Sequence, residues 1–529
     1  MHTANKLVIV ICLAIIAGCK TGSVDRNTGE KIRGFMIDAP RATESLDYYF
    51  RLIDFCHKEQ INTIIFRLTD DQGSAYLFTS HPELIMREGA FTAEELKKLI
   101  DYAKIQGIEM IPEIESFGHS LYITKAKRYK FLNDSSAGYE YNALCPVSDT
   151  TRQLMKDLYS EIAAIFPSPY FHIGCDEVNW GGSELSKNAL KTRSKNQIWA
   201  DYVNSLNRTV KSLGKKTIIW GDVPIYVEPE VLNFLDRDMV IMDWNYRETK
   251  KEIVDSIAQA VLKKGFKVIG CPGVSWCMWG LRVGGQQFEN INAYAEVYCN
   301  LDDPDNLGII MSNWVPKRYL QNSQWDTYAI AAEILKNKGN YKYMDAIPAF
   351  VKDHFGATFD ANWEKIYRTV YKETPTFLCG EQDSLKFFPW FSEIQIKNII
   401  ARNEPLHNPF GEIADLLSLY KDSVKLNQGD FDDFRMTVEF MDYCYNRQNE
   451  LQEFANSRNV DLKSVKGYLK ETAREDLVQL INMSSAWSRG RRCQPDATDE
   501  NFLWSINKAA KYTDHLADNP TELLKILGK

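Results

Sequence analysis

The chain has 529 residues, 44% of them hydrophobic, and a formal net charge of −8. That length exceeds one ordinary domain, and 26 tyrosines with 26 phenylalanines supply material for a large core. The acidic balance, with no basic stripe along the chain, excludes a general nucleic-acid binder.

The first six residues, MHTANK, carry a lysine and no acid. LVIVICLAIIAG (7–18) follows, too short and too near the end for an ordinary spanning helix. It stops at a small-residue pair directly before Cys19, which resembles the lipobox of bacterial lipoproteins. Residues 1–18 are therefore expected to be a signal peptide. Cys19 is expected to be lipidated and to tether the chain to a bacterial membrane, on its periplasmic side or at the cell surface. Residues 19–31 would form a polar tether. A plain cleaved secretory signal is the alternative. Besides Cys12 and Cys19, nine cysteines are scattered with no CxxC pair and no metal-like Cys/His spacing, and they read as buried small apolar residues.

From residue 33, short apolar runs alternate with longer amphipathic segments. The runs are GFMID (34–38), TIIFRL (63–68), EMIPEI (109–114), YFHIGC (170–175), TIIWGD (217–222), MVIMDW (239–244), KVIGCPG (267–273) and GIIMSNW (308–314). The intervening segments, from SLDYYFRLIDFCHKEQ to WDTYAIAAEILKNKG, place apolar residues at helical spacing, and several end at Gly or Pro. Eight strand–helix pairs predict an α/β fold, a (β/α)₈ TIM barrel, over residues 32–345. An open doubly wound sheet fits less well, since no Gly-rich phosphate loop follows the first strand. The excess length falls after strands 2, 3 and 4. Past residue 345 the rhythm gives way to long helices, so residues 346–529 are expected to form an α-helical C-terminal domain.

In such barrels the reacting groups sit at the C-terminal ends of the strands. Those ends carry Asp38 and Arg41, then Asp70 and Asp71, then Glu113, Glu115 and His119. Asp176 and Glu177 follow, then Trp220 and Asp222, Asp243 and Trp244, Trp276, and Asn313 and Trp314. Acids crowd the first half and tryptophans the second, a pattern suited to a sugar. Carboxylates bond hydroxyls or handle protons, and indole faces stack on pyranose C–H surfaces. A lone Trp at a strand end is usually core and a lone Asp is often a helix cap. The pattern over eight strands is what points to a site.

The segments RGFMIDAPR, FRLTDDQG, IPEIESFGHS and FHIGCDEV (33–41, 66–73, 111–120 and 171–178) occur in the order and setting of the family 20 glycoside hydrolases, the β-N-acetylhexosaminidases. The resemblance covers about residues 32–315, and the GCDE form looks more like the hexosaminidase D branch. It implies an exo-acting, retaining enzyme that releases terminal β-linked GlcNAc or GalNAc, with no cofactor and no metal. It assigns Glu177 as general acid/base, Asp176 as the carboxylate that orients the 2-acetamido group, and Asp70 with His119 as the pair supporting Glu177. Arg41 would hold sugar hydroxyls, and Trp220, Trp244 and Trp314 would form the pocket walls. The substrate's own acetamido oxygen is the nucleophile in this family, so Glu177 needs a raised pKa to start protonated. The family tyrosine after strand 7 is missing from CPGVSWCMWG, which leaves Trp276 or another residue to fill its place. The family Trp-x-Glu after strand 8 reads NWVP. These losses leave a non-catalytic glycan-binding lipoprotein of the same fold as one alternative. A metal-dependent hydrolase using Asp38, His119 and His172 is another.

Overall fold

Eight parallel strands close into a barrel in the computed structural model. They are β1 (Ile32–Asp38), β2 (Thr63–Arg67), β3 (Glu109–Glu113), β4 (Tyr170–His172), β5 (Lys216–Trp220), β6 (Val240–Asp243), β7 (Lys267–Gly270) and β8 (Asn306–Asn313). Closure comes from β8 lying parallel to β1, with register from Ile32 opposite Gly308 to Ile37 opposite Asn313. The structure describes residues 30–136, 143–275, 282–314, 316–373, 392–493 and 502–529, with side chains from residue 510 in the last segment. Cys19, most of the tether and Trp276 lie outside the described residues.

Side chains alternate across each strand, and this alternation sorts the barrel. Met36, Ile65, Ile111, Ile218, Met242, Ile269 and Ile310 point inward and fill the interior as one apolar cluster. The next inward positions up the first four strands are Asp38, Arg67, Glu113 and His172, which neighbour one another in register. The apolar fill thus ends in a charged layer, and that layer is the floor of the site. Asp243 has the opposite parity. It faces outward, where the hydroxyls of Tyr226 and Tyr298 donate to it.

The surrounding helices start where the sequence supplies caps. Ser45 accepts from the Tyr48 amide at the start of α1 (Leu46–Lys58), and Thr92 with Glu95 forms a capping box on α2 (Ala93–Ile105). Ser148 caps α3 (Asp149–Ala163), and Ser194 with Gln197 caps α4 (Lys195–Ser212). Each lays an apolar stripe on the barrel; on α1 it is Tyr48, Tyr49, Leu52, Ile53 and Cys56. A buried leucine such as Leu52 contributes about 2 kcal/mol. After β6, β7 and β8 come α5 (Lys251–Lys263), α6 (Gln286–Tyr298) and α7 (Trp325–Lys336). The fifth connection departs from eight regular pairs. A wide π-type turn (Asp222–Val227) and a 3₁₀ turn (Pro229–Asn233) stand where a helix was expected. Pro224 and Pro229 each lack an amide proton and clash with the preceding turn. The long loops after β2, β3 and β4 lie on the catalytic face, and the first folds into a small three-stranded sheet.

Past residue 345 the described helices are α8 (Ile347–Phe355), α9 (Ala361–Glu373), α10 (Glu393–Ile400), α11 (Phe410–Tyr420), α12 (Gln428–Asn456), α13 (Leu462–Ser488), α14 (Phe502–Asp518) and α15 (Pro520–Ile526). Phe355, Trp363, Tyr367 and Phe434 share one continuous core with α7 of the barrel. A second cluster, built on Ile396, Leu451, Leu469 and Leu523, knits the outer helices together. Lys31–Lys529 accordingly forms one compact unit. Among the described residues no helix is long and apolar enough to cross a membrane.

Candidate active site

Arg67 ends β2 and is fully buried at the barrel axis. Its Nη1 donates to Asp38 Oδ1 at 3.0 Å and lies 2.5 Å from Asp70 Oδ2. Nη2 donates to Glu115 Oε1 at 2.9 Å, and Nε stands 3.4 Å from Glu113 Oε2. One guanidinium thus serves four carboxyls in a fully buried layer, more negative charge than it can balance alone. Burial, helped by the charge of Asp176, pushes Glu113 up to about 8 despite Arg67, and Glu115 rises well above the ordinary range. Asp70 goes the other way. Burial raises it, but Arg41 and Arg67 together outweigh that and hold it low. Arg41, from the loop after β1, reaches Asp70 Oδ2 at 3.0 Å and Asp38 Oδ2 at 3.3 Å. Its guanidinium lies over the ring of Trp314, 5.2 Å from the centroid.

His119 links the site's second row. Its Nδ1 is 3.0 Å from Asp71 Oδ2 and 3.8 Å from Asp70 Oδ2. Nε2 is 3.2 Å from Glu177 Oε2 and 3.7 Å from Asp176 Oδ2. Asp71, not Asp70, is therefore the nearer partner, while Asp70 is drawn off by the two arginines. Burial disfavours the imidazolium, but Asp176, Asp71 and Glu177 overcome it and raise His119 well above its ordinary value. Both ring nitrogens then act as donors.

Asp176 and Glu177 sit beyond β4 on a tightly wound turn. Gly174, Cys175 and Glu177 take φ of 67°, 77° and 46°, the left-handed region that disfavours side chains. A Cβ on Gly174 would fall 2.0 Å from Glu115 Oε2, and one on Gly118 would fall 2.2 Å from the Asp176 carbonyl. The turn breaks strand alternation, so two successive acids reach one histidine. Asp176 is buried, whereas the Glu177 side chain is 39% exposed. Asp222, after β5, accepts the Glu177 amide at 2.8 Å. Burial and the neighbouring Asp176 push Asp222 up to about 8. Burial raises Asp176 as well. Glu177 does not follow the raised value expected from the sequence. Burial lifts it, but the hydrogen bond and charge of His119, with Arg41, bring it below the ordinary range.

The tryptophans take different places. Trp220 is fully buried beneath the mouth, donating to Glu113 Oε1 at 3.0 Å, with its ring 4.7 Å from His172 and 5.7 Å from Trp314. Trp314 donates to the hydroxyl of Tyr246 at 2.7 Å. Trp244 is partly buried and stacks on Tyr246 at 5.0 Å. Tyr246, on the loop after β6, and Arg67 were not singled out from sequence. Arg67 could have been found from the inward parity of β2. Tyr246 carries no comparable signal. Asp38, His119 and His172 do not converge: among the described residues the groups with metal-ligand spacing are Asp70–Asp71–His119 and His119–Asp176–Glu177.

This layout can hold a neutral, hydroxyl-rich ring against Arg41 and the indoles while handling one proton at Glu177. The profile "Glycosyl hydrolase family 20, catalytic domain" matches residues 31–327, more than half of the chain. The chain belongs to glycosyl hydrolase family 20. Relatives include the β-hexosaminidase of Vibrio furnissii, 28% identical over 277 residues, covering 46% of this chain and 43% of that protein. A β-hexosaminidase of Porphyromonas gingivalis is 25% identical over 215 residues, covering 36% and 28% of the two chains. Each match thus spans less than half of the relative's length. The crystal structure of a β-N-acetylhexosaminidase superposes with a TM-score of 0.51 at 17% identity, over 66% of this chain and 80% of that one. The two chains share a fold.

Proposed function

We propose that this chain is an exo-acting, retaining β-N-acetylhexosaminidase that releases terminal β-linked GlcNAc or GalNAc with help from the substrate's own acetamido group. The observation that carries the reading is His119 bridging the acid pair, with ligand atoms of His119, Asp176 and Glu177 all within 4.8 Å of one another. With the acetamido oxygen as nucleophile, retention needs no second carboxylate across the scissile bond, and both acids can serve one side of the substrate. Glu177, the more exposed, faces the leaving oxygen. Asp176, buried and beside a cation, suits a positive charge developing on the acetamido nitrogen. His119 and Glu177 hold one proton between them. Arriving substrate strips water from Glu177, and the proton then sits on its Oε2 for delivery. Once the leaving group departs, Glu177 accepts a proton from water and the oxazolinium-like intermediate opens with retained configuration. The buried hydroxyl of Tyr246 is the group we assign to the place of the missing family tyrosine.

The test uses 4-nitrophenyl β-GlcNAc and β-GalNAc, the 2-hydroxy analogue, and natural glycans. Wild-type chain should release the acetamido sugars and spare the 2-hydroxy one, and Glu177→Gln should lose about 10²–10⁴-fold. Tyr246→Phe should lower kcat on the acetamido substrates. No release from any of them overturns the reading, and sugar binding without turnover would favour a glycan-binding protein. We also propose that Cys19 is lipidated and anchors the enzyme at the bacterial envelope. Cys19→Ser should then move to the soluble fraction; unchanged membrane partition removes that assignment.

A further inference from the structure

The segment that follows α13 returns to the catalytic face of the barrel. The Ser45 amide donates to the Gly490 carbonyl at 2.7 Å, and the Arg492 amide donates to the Thr43 carbonyl at 2.9 Å. These bonds make a short antiparallel bridge, Glu44 opposite Arg491, along the loop that carries Arg41. The Arg491 side chain is only 1% exposed. Its Nε donates to Glu44 Oε1 at 2.9 Å. Its Nη2 donates to the carbonyls of Pro316 and Tyr319, at 2.8 and 3.1 Å, in the turn just after Trp314. Trp487 covers the guanidinium at 4.1 Å and donates its own Nε1–H to the Lys317 carbonyl at 2.9 Å.

One buried fork thus ties the loop after β1 to the loop after β8. Those loops carry Arg41 and Trp314, whose guanidinium and ring face each other at 5.2 Å. We infer that Arg491 is a positioning residue for sugar binding: it sets the spacing of Arg41 and Trp314 and makes the C-terminal helical region part of the substrate site. The inference rests on the hydrolase reading for the name of the ligand, not for the coupling of the two loops. A planar fork can satisfy a carboxylate and two carbonyls at once, whereas a lysine ammonium on a flexible stem cannot hold the same geometry. Contacts to a sugar ring's hydroxyls and face are made in ground and transition state alike, so their loss raises KM more than it lowers kcat.

The full chain and its Arg491→Gln, Arg491→Lys and Glu44→Gln variants would be compared well below their melting temperatures. Two readouts apply: kcat and KM on 4-nitrophenyl β-GlcNAc, and amide hydrogen exchange in peptides 38–46 and 314–320. Arg491→Gln should raise KM about 10-fold or more, since small misplacements of binding groups cost up to ~10², with a smaller change in kcat. Exchange should quicken in both peptides. Arg491→Lys should fall between, and Glu44→Gln should loosen the first peptide more than the second. A lower melting temperature with unchanged KM and unchanged exchange would overturn the inference and leave Arg491 merely structural. If Arg491→Gln does not fold, the other two variants decide by the same criteria. If wild-type chain turns over nothing, the hydrolase reading fails by itself, and exchange alone decides the loop coupling.

Discussion

His119 touches both acids of the pair and is itself buried, so its charge sets what each can do. Asp176 is raised chiefly by burial and would rise further without the imidazolium, the largest influence holding it down. Glu177 owes its low value to the same residue. In the mechanism proposed above Asp176 must be ionised to stabilise a cationic intermediate, so the acid limb of kcat/KM should lie above the usual carboxylate range. His119→Asn removes the cation. Asp176 then stays protonated to higher pH, and the acid limb should move up by about one unit or more. At pH values below the limb that is a ~10-fold loss or more, part of which returns as pH is raised. A pH–rate profile checks this, and an acid limb left in place would contradict it. The adjacent pair Asp70–Asp71 shows what sequence conceals at this scale. Both acids are in the motif, but only the fold shows that two arginines engage the first and His119 the second.

At the scale of the element, the turn after β4 stores strain. Left-handed backbone at Cys175 and Glu177 costs on the order of 1–3 kcal/mol per residue unless its surroundings impose it. Asp222 imposes it by accepting the Glu177 amide. With its pKa pushed up to about 8, Asp222 is mostly protonated at pH 7, so an amide imitates it. Asp222→Asn should therefore keep most of kcat at neutral pH, while Asp222→Ala should lose about 10-fold or more by freeing Glu177 from its geometry. Equal kinetics in the two variants would remove Asp222 from this role. The strands themselves were legible as short apolar runs separated by amphipathic segments, and the first four helices named begin at a side-chain cap. The irregular parts were not. Periodicity cannot register a left-handed turn, nor the loss of the fifth helix to Pro224 and Pro229. Strand ends alone did not separate inward Trp220 from outward Asp243; that requires counting parity from a known inward residue. The Arg491–Glu44 contact joins residues 447 apart, and no local pattern announces a pairing that distant.

On the scale of the whole molecule, a barrel that places Asp38, Asp70, Glu113 and Glu115 around one buried guanidinium gives up stability for its site. Charge that Arg67 cannot balance is relieved by protons, and Glu113, pushed up to about 8 mainly by burial, is the clearest holder of one. In the unfolded chain a glutamate titrates near 4.3. Between about pH 4.3 and 8 the folded molecule therefore binds more protons at this position than the unfolded one. Stability must fall as pH rises through that window. The contribution is complete below the unfolded value and gone above the folded one, on the order of a few kcal/mol for a shift this size. Glu113→Gln replaces the protonated acid with a neutral group whose oxygen can still accept from Trp220 Nε1. It should leave the melting temperature at pH 5 nearly unchanged and flatten the decline toward pH 8. Melting curves of wild type and variant across that range measure the effect. Parallel declines would mean that Glu113 is ionised in the fold and that the decline has another source.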